Sequence, residues 1–262
     1  MNTWLKYWAF VRVGVVRGVS ERGELYGRLL FLPIILGVFY ELWSAVGETG
    51  MPTSAAPHDL VWYLAATEWI VLSPALIYVD VQEDIRRGDI ACVLPRPVSY
   101  LGSMFCQGVG LLVVRAPVLG LGLFACALAY THELPEPSAL LWVISFGLAA
   151  MAFINACYVL LGLTAFWLDD VTPLYWIWQK SLFVLGGLMV PLELYPDWFR
   201  ALGAFTPFPS LLSGPASALT THVTAPFAIT LATHLLSWSL GLTVVGAVLF
   251  AHATRRLQLT GG

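Results

Sequence analysis

Asp80-Val81-Gln82-Glu83-Asp84-Ile85-Arg86-Arg87-Gly88-Asp89-Ile90-Ala91-Cys92-Val93-Leu94-Pro95-Arg96-Pro97 is a charged island between two long apolar runs, in a chain of which only 11% is charged. Runs as apolar as its flanks belong in a bilayer, and a stretch as polar as the island belongs at the bilayer surface. The flanks therefore read as membrane crossings and the island as the short bridge between them. Taken as a helix, the bridge puts Ile85, Ile90 and Val93 close to one face, with acids and arginines around the rest. Apolar knobs inside a charged rim make an element suited to being gripped from outside the membrane.

Working outward, the 262 residues are 58% hydrophobic, with a mean hydropathy of +0.78. That is too apolar for a soluble domain. Crossing about 30 Å of hydrocarbon takes about 20 apolar residues in a helix. Runs of that kind lie at 29–47, 60–79, 101–130, 138–166, 174–192 and 226–252. Lipid offers no partner for backbone N–H and C=O groups, so the runs must be helical. The alternation of an outer-membrane barrel strand is missing. The expected fold is an all-α integral membrane protein, a single transmembrane domain over 1–262 with six crossings.

Lys and Arg orient it. With the N-terminus inside, the inner segments hold Lys6, Arg12, Arg17, Arg22, Arg28, Arg86, Arg87, Arg96, Arg255 and Arg256, and the outer segments hold only Arg200. The positive-inside rule then places both termini in the cytoplasm, as in a bacterial-type inner membrane. Residues 1–28 are interrupted by Lys and Arg and do not read as a signal peptide. Cys92, Cys106, Cys126 and Cys157 are not placed for an extracellular disulfide, so reduced thiols are expected. Nothing in the charge pattern suggests a nucleic-acid partner.

Three further regions carry organisation. In residues 1–28, Trp4, Trp8, Val11, Val15 and Val19 share a narrow helical sector opposite Lys6 and Arg17, which predicts an amphipathic helix on the inner membrane surface. It reads either as a simple anchor or as an elbow that also touches a cytoplasmic partner. The bridge at 80–100 is the second region. In the third, 186–221, Gly186-Gly187 and Pro191 interrupt the fifth run; Pro196, Trp198, Phe199, Leu202 and Phe205 follow, then Pro207, Pro209 and Pro215. This predicts broken helices dipping into the outer leaflet, which lipid tolerates only where protein or a wet cavity covers them.

Ionisable groups within spans are functional candidates, because each is costly unless paired or hydrated. At about 1.5 Å per residue, Glu41, Glu68 and His234 fall about 9–12 Å below the outer boundary, and Arg115 and Asn155 near 22 Å. This arrangement predicts a polar outer vestibule above a deeper Arg115–Asn155 contact; interhelical packing is the alternative for the same residues. His58, His132 and His222 lie on separate outer loops and read as scattered interfacial residues rather than a metal site.

At this point the chain resembles the permease subunits of ATP-binding-cassette transporters, in their type-2 exporter branch. The first stretch of likeness is Glu83-Asp84-Ile85-Arg86-Arg87-Gly88-Asp89-Ile90, with Leu94 and Arg96-Pro97. It is similar to that group's acidic–Ile–two residues–Gly–residue–Ile element, closed by Leu-x-Arg-Pro. The second is Val190-Pro191-Leu192 with Tyr195-Pro196-Asp197-Trp198, then Thr206-Pro207-Phe208 and Gly214-Pro215, similar to the outer re-entrant hairpin before the last span. The resemblance implies that 80–97 is a coupling helix seated on a separate ATPase subunit. It also implies two permeases, identical or paralogous, with two ATPases that bind ATP and Mg, and drugs, peptides or lipids as cargo.

The chain itself lacks the engine. A P-loop needs G-x-x-x-x-G-K-[ST], and of the two lysines Lys180 follows Gln179. H-E-x-x-H and G-x-S-x-G are absent, so an intramembrane enzyme has no visible site. A secondary transporter would predict inverted repeats and midplane carboxylates handling ions, and neither is clear in the sequence.

Overall fold

The computed structural model describes residues 3–48, 56–93, 98–221 and 223–260, so Leu94, Arg96 and His222 fall outside the described residues. Among those described there is helix and no strand. The longer helices are α1 (Thr3–Ser20), α2 (Arg22–Glu48), α3 (Pro57–Leu72), α4 (Ile77–Arg87), α5 (Ile90–Val93), α6 (Tyr100–Thr131), α7 (Pro137–Leu163) and α8 (Thr172–Gly186). They are followed by α9 (Asp197–Ala204), α10 (Phe208–Leu211), α11 (Ser213–Ala216) and α12 (Ala225–Thr260).

Among the described residues, five helical stretches are long and apolar enough to cross a membrane: Arg22–Gly47, Pro57–Arg87, Tyr100–Thr131, Pro137–Phe166 and Ala225–Arg255. The chain is a multi-pass membrane protein. The fifth expected crossing, 174–192, does not form one long helix. α8 has 15 residues, about 22 Å at 1.5 Å per residue, which is short of a ~30 Å core. Gly187, in the left-handed region at φ 71°, ends it. A side chain on Gly187 would meet both this backbone conformation and the Leu192 side chain 3.0 Å away. Beyond it the chain breaks into a short 3-10 turn and α9 to α11, with Pro191, Pro196 and Pro207 each standing directly before a helical piece.

α3 is the central helix. Its residues from Leu60 to Val71 are buried, with Trp69 seated over Gly120 and Gly147 and donating its indole N–H to Ala116 O at 2.8 Å. The helix stops at Ser73-Pro74, where proline supplies no N–H. Leu72 O, left without a helical partner, accepts from Arg28, and Ser73 Oγ donates to Trp69 O at 2.6 Å. α4 then carries the same crossing onward to the charged bridge.

α1 does not stand alone at a surface; it is docked along α6. Tyr7 meets Gly102, Gly14 meets Gly110 and Gly18 meets Val114, so the two helices run in the same direction. α2 continues the line, with Leu29 against Gly122 and Tyr130 donating to Pro33 O at 2.9 Å. The seam is the glycine face of α1, a small-residue packing that lets backbones approach closely. Of the stripe predicted to face the membrane, Trp4, Trp8 and Val19 are exposed, while the backbone of Val11 and Val15 borders the seam at Gly110.

Candidate functional site

The bridge is built as two short helices around a turn. α4 ends at Gly88, whose φ of 78° is a left-handed cap that glycine takes without a Cβ penalty. α5 then folds back. Val81 and Ile90 are fully buried in a cluster with Tyr100 and Leu163, and Ile85 and Val93 pack against it. The apolar face expected to serve as knobs for a partner is therefore turned onto the protein's own bundle. The cause is continuity: α4 extends a crossing that packs on α7, where Val81 sits against Gly162 so closely that a Cβ there would collide. What remains outside is charge: Glu83, Arg86, Arg87 and Asp89 are exposed, with Glu83 and Arg87 paired one turn apart.

Three side chains fix this charged element to three different parts of the molecule. Asp84 accepts from the Tyr100 hydroxyl at 2.9 Å, at the start of α6. Gln82 Oε1 accepts from Val171 N–H at 2.8 Å, just before α8. Asp80 pairs with Arg17 of α1.

That last pair opens a chain of charges. Arg17 also pairs with Glu21 at 2.6 Å; Glu21 pairs with Arg115 at 2.8 Å; Arg115 pairs with Glu24 at 2.6 Å; and Glu24 pairs with Arg28 at 2.6 Å. The network runs from the bridge, through the α1–α2 junction, into the middle of α6. The Asp80 hydrogen bond holds the Arg17 guanidinium above its ordinary pKa. Burial alone would raise the Glu21 carboxyl above its usual 4.5, but bonds from Arg17 and Arg115 outweigh it, and the net shift is downward. A carboxyl lowered on folding adds stability above its unfolded pKa and loses it as pH falls through the folded value. Wild-type and Glu21→Gln proteins, melted across pH 7 to 3, are therefore expected to differ most at neutral pH and to approach one another as pH falls below the usual carboxylate range. A constant difference across that range would count against this assignment.

The structure does not join Arg115 to Asn155. Asn155 Nδ2 donates to Phe105 O at 3.1 Å, and the side chain lies so close to Gly108 that any Cβ there would overlap Oδ1. Glu41, Glu68 and His234 are likewise not gathered in one vestibule. Glu41 is exposed on α2. Glu68 is buried on α3, without a hydrogen bond or ion pair among the described residues. His234 lies in the wall of a cavity of about 460 Å³ between α3, the broken segment and α12, and accepts a hydrogen bond from the Trp238 indole at 3.2 Å. Of the broken-segment candidates, Pro191 lines this cavity, while Trp198 on α9 is 70% exposed.

Sequence reading passed over Glu21, Glu24 and Asp80. A signal was present: Arg17 with Glu21, and Glu24 with Arg28, are opposite charges four residues apart. The pattern marks helical ion pairs but does not reveal that Arg115 inserts between the two.

A bundle of long apolar helices, tied by fixed side chains to an exposed charged bridge, defines a multi-pass membrane protein. The chain belongs to the family of ABC-2 family transporter proteins, whose family model matches residues 69–261. No curated protein and no solved structure matched the chain.

Proposed function

We propose that the chain is the permease subunit of an ATP-driven exporter, moving a drug, peptide or lipid-like substrate outward with force delivered by a separate ATPase. The family normally works with an ATP-binding subunit. The observation that carries the reading is the bridge: its apolar side is anchored in the bundle, while Glu83, Arg86, Arg87 and Asp89 face outward. A push on that surface reaches α6 through Asp84, α8 through Gln82 and α1 through Asp80. ATP and Mg belong to the ATPase, present in two copies or as two paralogues, and a second permease, identical or paralogous, completes the complex. ATP binding shifts the permease only through this differential contact. α8 makes the fifth of six crossings, and 186–221 forms a re-entrant segment on the outer side before the sixth, α12, with both termini cytoplasmic in the inner membrane.

The test is co-purification. After mild detergent extraction, a nucleotide-hydrolysing subunit is expected to elute with the wild-type chain. Arg86→Glu with Arg87→Glu is expected to lower its recovery about tenfold, about 1.4 kcal/mol of interface, with the melting temperature unchanged because both side chains are exposed. Normal recovery with the reversed charges, or normal cargo flux with 83–90 replaced by a Gly/Ser tether, refutes the coupling role.

A further inference from the structure

The cavity of about 460 Å³ that holds His234 is the size of a small-molecule site. Its hydrogen-bonding inventory is one-sided. Five hydroxyl residues line it, and each has given its only proton to a backbone carbonyl: Tyr63 to Gly187, Ser210 to Pro207, Ser213 to Pro209, Ser217 to Gly214 and Thr230 to Pro226. The serine bonds reach carbonyls three or four residues earlier, the local bond that Ser and Thr make in helical turns. A hydroxyl that has donated can only accept. At the rim Glu193 is exposed, with a carboxylate that makes no ion pair among the described residues. The one donor is the histidine: its Nε2 accepts from Trp238, which leaves the ring proton on Nδ1. The rest of the wall is apolar, with Leu192, Phe227 and Leu231 among its residues.

We infer that this cavity binds an amphiphile with a protonated amine head, its N–H groups donating to the serine oxygens and Glu193, and its apolar body lying against Leu192, Phe227 and Leu231. A primary ammonium offers three donors and complements an acceptor-rich wall with one carboxylate. An alcohol offers one donor and no charge. A quaternary ammonium offers charge and no donor. As an assignment of cargo the inference rests on the export reading; as a binding site it stands without it.

The experiment is isothermal titration of the chain in nanodiscs, with heats from empty discs subtracted and no ATPase or nucleotide present. Dodecylamine, dodecanol and dodecyltrimethylammonium share one chain length and separate charge from donor count. Dodecylamine is expected to bind at least tenfold tighter than either analogue, and Glu193→Gln and Ser213→Ala are each expected to weaken it, Glu193→Gln about tenfold, as the loss of one charge-assisted hydrogen bond does. Glu193 is exposed, so that variant leaves the fold intact. Equal affinity for the trimethylammonium or the alcohol overturns the inference, as does unchanged dodecylamine binding in the two variants. Because no ATPase is present, a failed titration leaves the coupling test standing, and a failed co-purification leaves this one standing.

Discussion

Glu21→Gln combined with Glu24→Gln is expected to lower the melting temperature by roughly 10 °C, and Arg115→Leu to lower it far less. The asymmetry comes from which partner reaches water. The Arg115 side chain is 3% exposed, whereas Glu21 is 29% and Glu24 43% exposed. Removing both acids strands a buried guanidinium, and breaking such a pair from one side costs about 3–5 kcal/mol. Removing the arginine leaves Glu21 with Arg17 and Glu24 with Arg28, an exchange in the range of surface pairs, about 1 kcal/mol or less. Deleting all three charges is expected to recover most of the loss, because nothing buried is then left unpaired. Thermal melts of the double, single and triple variants check this. Equal damage from Arg115→Leu and from the acid double variant would contradict it. A transport assay on the folded Arg115→Leu protein then separates packing from function: preserved assembly with lost flux assigns Arg115 a part in the conformational cycle.

The crossings were legible because they follow from composition. A run of about 20 apolar residues has few places to go, and five of the six expected runs are long helices. The fifth run, 174–192, is the exception, and the Gly186-Gly187 and Pro191 that interrupt it were legible. Its apolar content extends past Gly186-Gly187, but the left-handed turn at Gly187 ends the helix before the hydrophobicity does. The bridge was legible as a charged helix, and its direction was not. Periodicity gathers Ile85, Ile90 and Val93 on one face and is silent on whether that face meets a partner or the protein itself. Here it meets Tyr100 and Leu163. Depth counting failed for Arg115 at the level itself: Asn155 packs against Phe105 and Gly108, about 10–15 Å earlier along α6. Glu21 and Glu24 make the contact instead. The docking of α1 had a trace in Gly14-x-x-x-Gly18, a spacing that brings helices together in membranes. The Trp stripe on the same helix drew attention to the adjoining, exposed side.

That glycine seam sets the other large effect. Gly110→Leu is expected to separate α1 from α6, lowering the melting temperature by about 5–10 °C and freeing α1 to unfold, so that trypsin cuts at the already exposed Arg12. A Cβ at position 110 would overlap the Val11 carbonyl oxygen and stand 2.9 Å from Gly14 Cα. Those are backbone atoms, so no rotamer change relieves the clash, and the cost lies at or above the upper end of the 1–3 kcal/mol usual for overpacking. Gly27→Leu on α2 is the matched control, because a Cβ there meets nothing within 4 Å. Equal trypsin resistance of the two variants would argue that α1 is not held by this contact. The two large effects are also coupled. α1 ends next to Glu21, so prying it off α6 draws Glu21 away from Arg115 and exposes part of the same penalty that neutralising the acids does. Gly110→Leu is accordingly expected to cost less in the triple-neutral background than in the wild type. The coupling should reach about 0.5–3 kcal/mol, the size seen for residues sharing one network, whereas two independent contacts would give none.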